Sequence, residues 1–403
     1  MKNHLTVTSI CISLFISFYR SEAAVYEYQY TPPSNVDPTG FADYRIFIPD
    51  DPEMIKGVYC YIPGFEGSSL EIVDDADYQN YVEEKNMALM GFRMLGQYTS
   101  NIAGVSLWSG EALIQALVKL AQLSGHDELE YSPLLFSGHS AGGQFAYHFT
   151  QWKPERVIAF VTMKGGYHSL SDAGDAIYVP GYLFTGEEDN DYRITNLTTI
   201  FETNRSRGAL WALAVEPGAA HSRVSDDILH SFFDQIVPLR LPETCPENAI
   251  PELSNIEESS GWLGNRDTYV IKSCDEYMED KTTACWFPNE KIADEWRKFV
   301  KGLPFSQINI LNQSNPDRFI LRQNFPNPFN PVTTIQYQLP CPGQVILNLY
   351  NPAGQKIRTL LDEYQQEGKH QFNLSVRGLS SGIYFYRLQF DRYLETKRIT
   401  LQK

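Results

Sequence analysis

In the stretch Gly138-His139-Ser140-Ala141-Gly142 a serine is flanked by glycines at both ±2 positions. The apolar run Leu134-Leu135-Phe136 precedes it, and a segment of helical character begins at Gly143. A serine on so sharp a strand-to-helix turn presents its hydroxyl clear of the backbone. The turn is strained and neighbouring chains approach closely, so only small residues fit beside it. The N–H groups that open the following helix point toward any negative charge developing there. This arrangement suits attack by the Ser140 hydroxyl on a carbonyl. A hydroxyl is a poor nucleophile until a base takes its proton, so a histidine and an orienting acid must lie within reach.

The segments around the motif must supply them. Val58-Tyr59-Cys60-Tyr61-Ile62 is a short apolar run ending in Pro63-Gly64, Tyr78 to Met87 reads as a helix, and a strand is expected near Ala88–Leu95. Glu111 to Leu123 carries Leu113, Ile114, Leu117, Leu120 and Leu123 at helical spacing. Apolar runs recur at Val157–Val161, Tyr182–Phe184 and Leu210–Val215. Strands alternating with helices predict an α/β fold, a mostly parallel sheet covered on both faces. Where a G-x-S-x-G serine sits on such a strand-to-helix turn, its partners are expected to follow in the order acid, then histidine. Asp189 stands in Gly186-Glu187-Glu188-Asp189 after one strand and is the expected acid, with Glu187, Glu188 and Asp191 as competitors. His221, in the loop after Leu210–Val215, is the expected base. His168 precedes the acid, His139 lies in the turn itself, and His230 falls on the helix expected after His221. The N–H of Ala141 would be one donor to an oxyanion. The loop Pro63-Gly64-Phe65-Glu66-Gly67 would give the other, with Phe65 the expected donor.

With these residues in place, the region 24–301 resembles the α/β-hydrolase superfamily, nearest to its secreted esterases and polyester depolymerases. The resemblance implies acyl transfer through Ser140, His221 and Asp189, with no metal and no organic cofactor. Many members insert a helical lid after the strand that here is Val157–Val161. This chain has only about fifteen residues there, Met163 to Ile177, which implies an open site suited to bulky or polymeric esters. A polyester, an acylated polysaccharide and a hydroxycinnamoyl ester all fit. Trp108 and Tyr167, with Phe65 and Tyr182, are candidates for an aromatic platform against substrate; core or surface packing explains them equally well. A peptidase of the prolyl-oligopeptidase type and a non-catalytic surface-binding protein are the alternatives.

The two ends of the chain are of another kind. Residues 1–23 have a short polar start, an apolar run from Leu5 to Tyr19 and Ser21-Glu22-Ala23. That is the layout of a cleaved secretory signal peptide, which leaves no transmembrane anchor after processing. Residues 302–318 suit a linker. Beyond them, Ile335–Leu339, Val345–Tyr350 and Ile383–Leu388 are β-rich and separated by Gly, Pro and Asn, predicting a small antiparallel sandwich over 319–403. Asn324-Phe325-Pro326-Asn327-Pro328-Phe329-Asn330-Pro331 opens this part, Leu349-Tyr350-Asn351-Pro352-Ala353-Gly354 follows, and Leu379-Ser380-Ser381-Gly382-Ile383-Tyr384 comes near its end. It resembles the C-terminal sorting domain of the type IX (Por) secretion system. The resemblance implies that system's machinery as a partner, and export across both membranes of a Gram-negative bacterium to the cell surface or the medium.

Charge and cysteines narrow the remaining classes. The formal net charge is −16, resolved into −22 over residues 24–316 and +5 from Asp317 onward. So acidic a middle would repel a phosphate backbone, which argues against nucleic-acid binding. No internal stretch reaches the roughly 18–20 apolar residues that span a bilayer. Export permits a disulfide among Cys245, Cys274 and Cys285, the pairing left open. The segment 241–288 that holds them has no evident place in the expected sheet.

Overall fold

The computed structural model describes residues 24–49, 54–96, 104–303 and 319–402, the last apart from 323, 325–326, 328, 340, 353, 377–378 and 391–392. The expected signal peptide and most of the expected linker lie outside the described residues. The chain divides into two compact units, one ending at Phe305 and the other starting at Ser306.

The first unit is built on an eight-stranded sheet. In chain order its strands are β1 (Ala24–Tyr30), β2 (Phe41–Ile48), β3 (Val58–Ile62), β4 (Ala88–Leu95), β5 (Leu134–His139), β6 (Val157–Met163), β7 (Gly181–Gly186) and β8 (Trp211–Glu216). Their order in space is β1-β2-β4-β3-β5-β6-β7-β8. β1 and β2 run antiparallel, and every pair from β4 to β8 is parallel. This is the strand order of the α/β-hydrolase fold. All seven residues of β6 and all six of β7 are buried, as strands covered by helices on both faces must be. The covering helices are α1 (Ala76–Glu83), α2 (Gly110–Ser124), α3 (Ala141–Trp152), α4 (Asp191–Arg205), α5 (Asp226–Arg240) and α6 (Glu290–Val300).

The segment 241–288 now has a place. Three short strands, β9 (Trp262–Gly264), β10 (Ile271–Ser273) and β11 (Cys285–Phe287), form a small antiparallel sheet that packs beside β8 and α6. Arg205, fully buried on α4, ties it down. Its guanidinium donates to the carbonyls of Ala284 and Lys281 at 2.7 Å each and pairs with Glu258 at 2.8 Å. Cys245, Cys274 and Cys285 are all free thiols, so the permitted disulfide is not formed. The Cys285 thiol instead donates to the Leu213 carbonyl at 3.4 Å in the core.

The second unit is built of two antiparallel β-sheets. One sheet has the order β12-β13-β16 and the other β15-β14-β17-β18, from β12 (Ile320–Leu321), β13 (Val332–Leu339), β14 (Gly343–Tyr350), β15 (Lys356–Gln365), β16 (Gly368–Ser375), β17 (Gly382–Phe390) and β18 (Tyr393–Leu401). Alternate residues such as Ile335, Tyr337, Leu347, Leu349, Tyr386 and Leu388 turn inward into one shared core, giving the sandwich expected of this part.

Candidate active site

β5 ends at His139 and α3 begins at Ala141, leaving Ser140 alone at the turn with φ 55° and ψ −118°. A non-glycine residue held there is strained, and such strain persists only where the surroundings impose it. Here the Ser140 N–H donates to the Met163 carbonyl at 2.7 Å, which pins the turn to the end of β6. The flanking glycines follow from contact distances. A Cβ on Gly138 would stand 2.1 Å from the Gly142 carbonyl oxygen, and one on Gly142 would stand 2.4 Å from that of Pro63. Among the described residues, Glu66, Ser140 and Lys164 are three of the five non-glycine positions with positive φ. All three belong to loops that leave the C-terminal ends of β3, β5 and β6, so the strain gathers at one edge of the sheet.

The loops after β7 and β8 bring the acid and the base to the same edge. They are zipped together by hydrogen bonds from the Glu187 N–H to the Glu216 carbonyl and from the Glu188 N–H to the Ala219 carbonyl. Gly186 permits this, since a Cβ there would lie 2.2 Å from the Ala219 oxygen. Asp189 is buried, whereas Glu187, Glu188 and Asp191 are exposed. One oxygen of Asp189 accepts from the Asn190 N–H at 2.7 Å and from Arg193 at 2.9 Å; the other faces His221 Nδ1 at 3.0 Å. Burial works to raise the Asp189 pKa. The hydrogen bonds from His221, Asn190 and Arg193 outweigh it and hold the carboxyl below its usual value. Opposite an ionised carboxylate, Nδ1 must carry the imidazole proton, which leaves Nε2 as an acceptor. Nε2 lies 3.0 Å from Ser140 Oγ, so the serine hydroxyl donates to it. The three side chains named from the sequence form one continuous hydrogen-bonded line.

Ala141 opens α3 next to Ser140. Gly64 packs against the serine, a Cβ there being 3.5 Å from Ser140 Cβ. A small, largely apolar pocket beside them is lined by Pro63, Gly64, Phe92, Met94 and Ala141. The Phe65 side chain is 46% exposed and Tyr167 is 71% exposed, its ring 5.4 Å from that of Tyr192. Trp108 requires a correction. It is 2% exposed in the turn before α2, so it has no free face for a ligand. Tyr182 is likewise wholly in the core. Apolar bulk in a sequence does not reveal which aromatics face outward. Three further residues escaped sequence reasoning. Arg193 could have been found as a cation one helical turn after Asp189. Lys164, just after β6, and Glu216, the last residue of β8, form an ion pair that carries no such local signal.

The other histidines stay outside the line. His230 stacks on Tyr81 at 3.8 Å. Burial first, then the charges of His221, Arg223 and Lys164, push His139 down to about 4. His168 hydrogen-bonds Thr162 at 2.9 Å and Asn196 at 2.8 Å, and burial pushes it down to about 3. An unfolded histidine takes its proton near pH 6.5, so between pH 6.5 and 3 the unfolded chain binds more protons at this position. The stability His168 contributes is therefore complete above pH 6.5 and drains away as the pH falls toward 3. The variant His168→Gln is expected to show a flatter fall of Tm between pH 6.5 and 4 than the parent. Parallel slopes in thermal melts would count against this.

Residues 323–402 match the family of secretion system C-terminal sorting domains. This part of the chain is such a sorting domain. No curated protein matches the chain. Among solved structures it is similar to poly(aspartic acid) hydrolase-1 from Sphingomonas sp. KT-1, at 15% identity and a TM-score of 0.36 over 50% of this chain and 95% of that one. It is also similar to a thermostable esterase, at 16% identity and a TM-score of 0.38 over 48% and 55%. A third is S-formylglutathione hydrolase from Staphylococcus aureus, at 13% and 0.36 over 54% and 94%. These likenesses are too slight to carry a function.

Proposed function

We propose that the first unit is a serine ester hydrolase. The observation that carries the reading is the line from Ser140 through His221 to Asp189, with both hydrogen bonds to the imidazole at 3.0 Å and the serine held at a strained turn. Ser140 Oγ attacks the ester carbonyl carbon while its proton passes to His221 Nε2. The carbonyl oxygen becomes an oxyanion, received by the N–H groups of Ala141 and Phe65. The intermediate collapses, the C–O bond to the alcohol breaks, and His221 returns the proton to the leaving alkoxide. Water, deprotonated by His221, then releases the acid and restores Ser140. Asp189 holds the imidazole in the tautomer that can accept and balances the imidazolium as it forms.

Exposed Phe65 and Tyr167 support a substrate that lies across an open surface, a bulky or polymeric carboxylic ester. The sorting domain over 323–402 supports export through the type IX secretion machinery to the cell surface or the medium. The test is hydrolysis of p-nitrophenyl esters from acetate to octanoate by the secreted chain. Turnover is expected, and its chain-length profile reports the depth of the acyl pocket. Folded protein that cleaves no ester in the series would overturn the reading.

A further inference from the structure

Lys164 follows β6 directly and is wholly buried, with a positive φ of 55°. Both features are costly, since lysine gains nothing from that backbone conformation and a buried cation must be paired. Its ammonium donates to Glu216 at the end of β8 at 2.6 Å and to the Ser222 hydroxyl at 3.2 Å. Ser222 is the residue next to His221, and Glu216 is where the loop bearing His221 begins. The lysine backbone is fixed as well, its N–H donating to the Phe184 carbonyl at 2.7 Å. One cation therefore grips both arms of the loop and anchors them to the strand whose last carbonyl, that of Met163, pins Ser140.

We infer that Lys164, with Glu216 and Ser222, is a positioning clamp that sets the distance of His221 from Ser140 and balances the charge around its imidazole. The inference rests on the reading above that His221 is the base. Against the His221 ring stand Asp189 from the loop after β7, at its Nδ1, and His139 from β5, its ring 4.9 Å away. The Lys164–Glu216 pair reaches the loop at Glu216 and at Ser222, next to His221 in the chain, and Arg223 is two residues on. Within that set Lys164 and Glu216 cancel each other. Removing one leaves the other uncompensated, and the two single variants must act with opposite sign. In Lys164→Met the lone Glu216 carboxylate favours the imidazolium, so the His221 titration moves to higher pH. In Glu216→Gln the lone Lys164 cation disfavours it, and the titration moves to lower pH.

The experiment follows the His221 ring by NMR titration of the full secreted chain, and measures kcat and KM on a p-nitrophenyl ester the parent cleaves. Shifts in opposite directions are expected, with the double variant close to the parent. In Lys164→Met, kcat is expected to fall on the order of tenfold to a hundredfold with little change in KM, because a displaced base affects the chemical step rather than binding. Shifts in the same direction, or none, would overturn the clamp, because lost stability alone gives no pair of opposite signs. If Lys164→Met does not fold, Glu216→Gln and Ser222→Ala still decide. The first must move the titration down, and the second must lower kcat without moving it. The titration needs no turnover, so it judges the clamp even if the esterase reading fails.

Discussion

Replacing Ser140 with alanine is expected to lower kcat for ester hydrolysis by at least about 10⁴-fold with the fold intact. Among the described residues, the side-chain hydrogen bond shown for the Ser140 hydroxyl is the one to His221. Alanine keeps the Cβ, so the strained turn is no harder to hold than before. The N–H groups proposed to receive the oxyanion, those of Ala141 and Phe65, are not removed, and a residual rate from substrate binding and oxyanion stabilisation should survive. Steady-state kinetics beside a thermal melt make the check. A variant that folds and keeps even a hundredth of the parent kcat would mean that the acyl group never passes through Ser140. The same variant separates an enzyme from a surface-binding protein. In the first, turnover vanishes and binding persists; in the second, there is no turnover to lose.

Much of this arrangement was legible because each element of the line follows the end of an apolar run. β5, β6 and β7 are buried on both faces, and so they stand out in the sequence as unbroken hydrophobic stretches. β1 and β2 did not stand out, because they are antiparallel and half-buried; β2 alternates intermediate and buried residues over most of its length. Choosing among four acidic residues after β7 rested on expected strand position. The structure adds the physical distinction, since Asp189 is buried and the other three are exposed. What stayed hidden depends on contacts between distant segments. Arg205 reaches across some 79 positions to Ala284, and Lys164 across 52 to Glu216. Trp108 failed for a related reason, because nothing local separates a buried tryptophan from an exposed one.

Replacing Asp189 with asparagine is expected to cost about as much as losing the serine's activation, on the order of 10⁴-fold in kcat, though the change is nearly isosteric. The surroundings dictate how the new amide must lie. The oxygen that accepts from Asn190 and Arg193 faces only donors, so the amide oxygen takes that place. The NH₂ group is then turned to where the other oxygen met His221 Nδ1. A donor there forces Nδ1 to become the acceptor, and the imidazole proton moves to Nε2. With Nε2 protonated, His221 no longer accepts from Ser140 and the hydroxyl stays inert. Arg193 and Asn190 keep their partner, so the Tm should change little. The control is Glu188→Gln, an exposed neighbour outside the line, which should leave kcat unchanged. The decisive measurement is the tautomer of His221 read from its ring nitrogen shifts, beside kcat. If Asp189→Asn keeps the proton on Nδ1, or retains more than about a tenth of the parent kcat, then a group other than Asp189 orients the base.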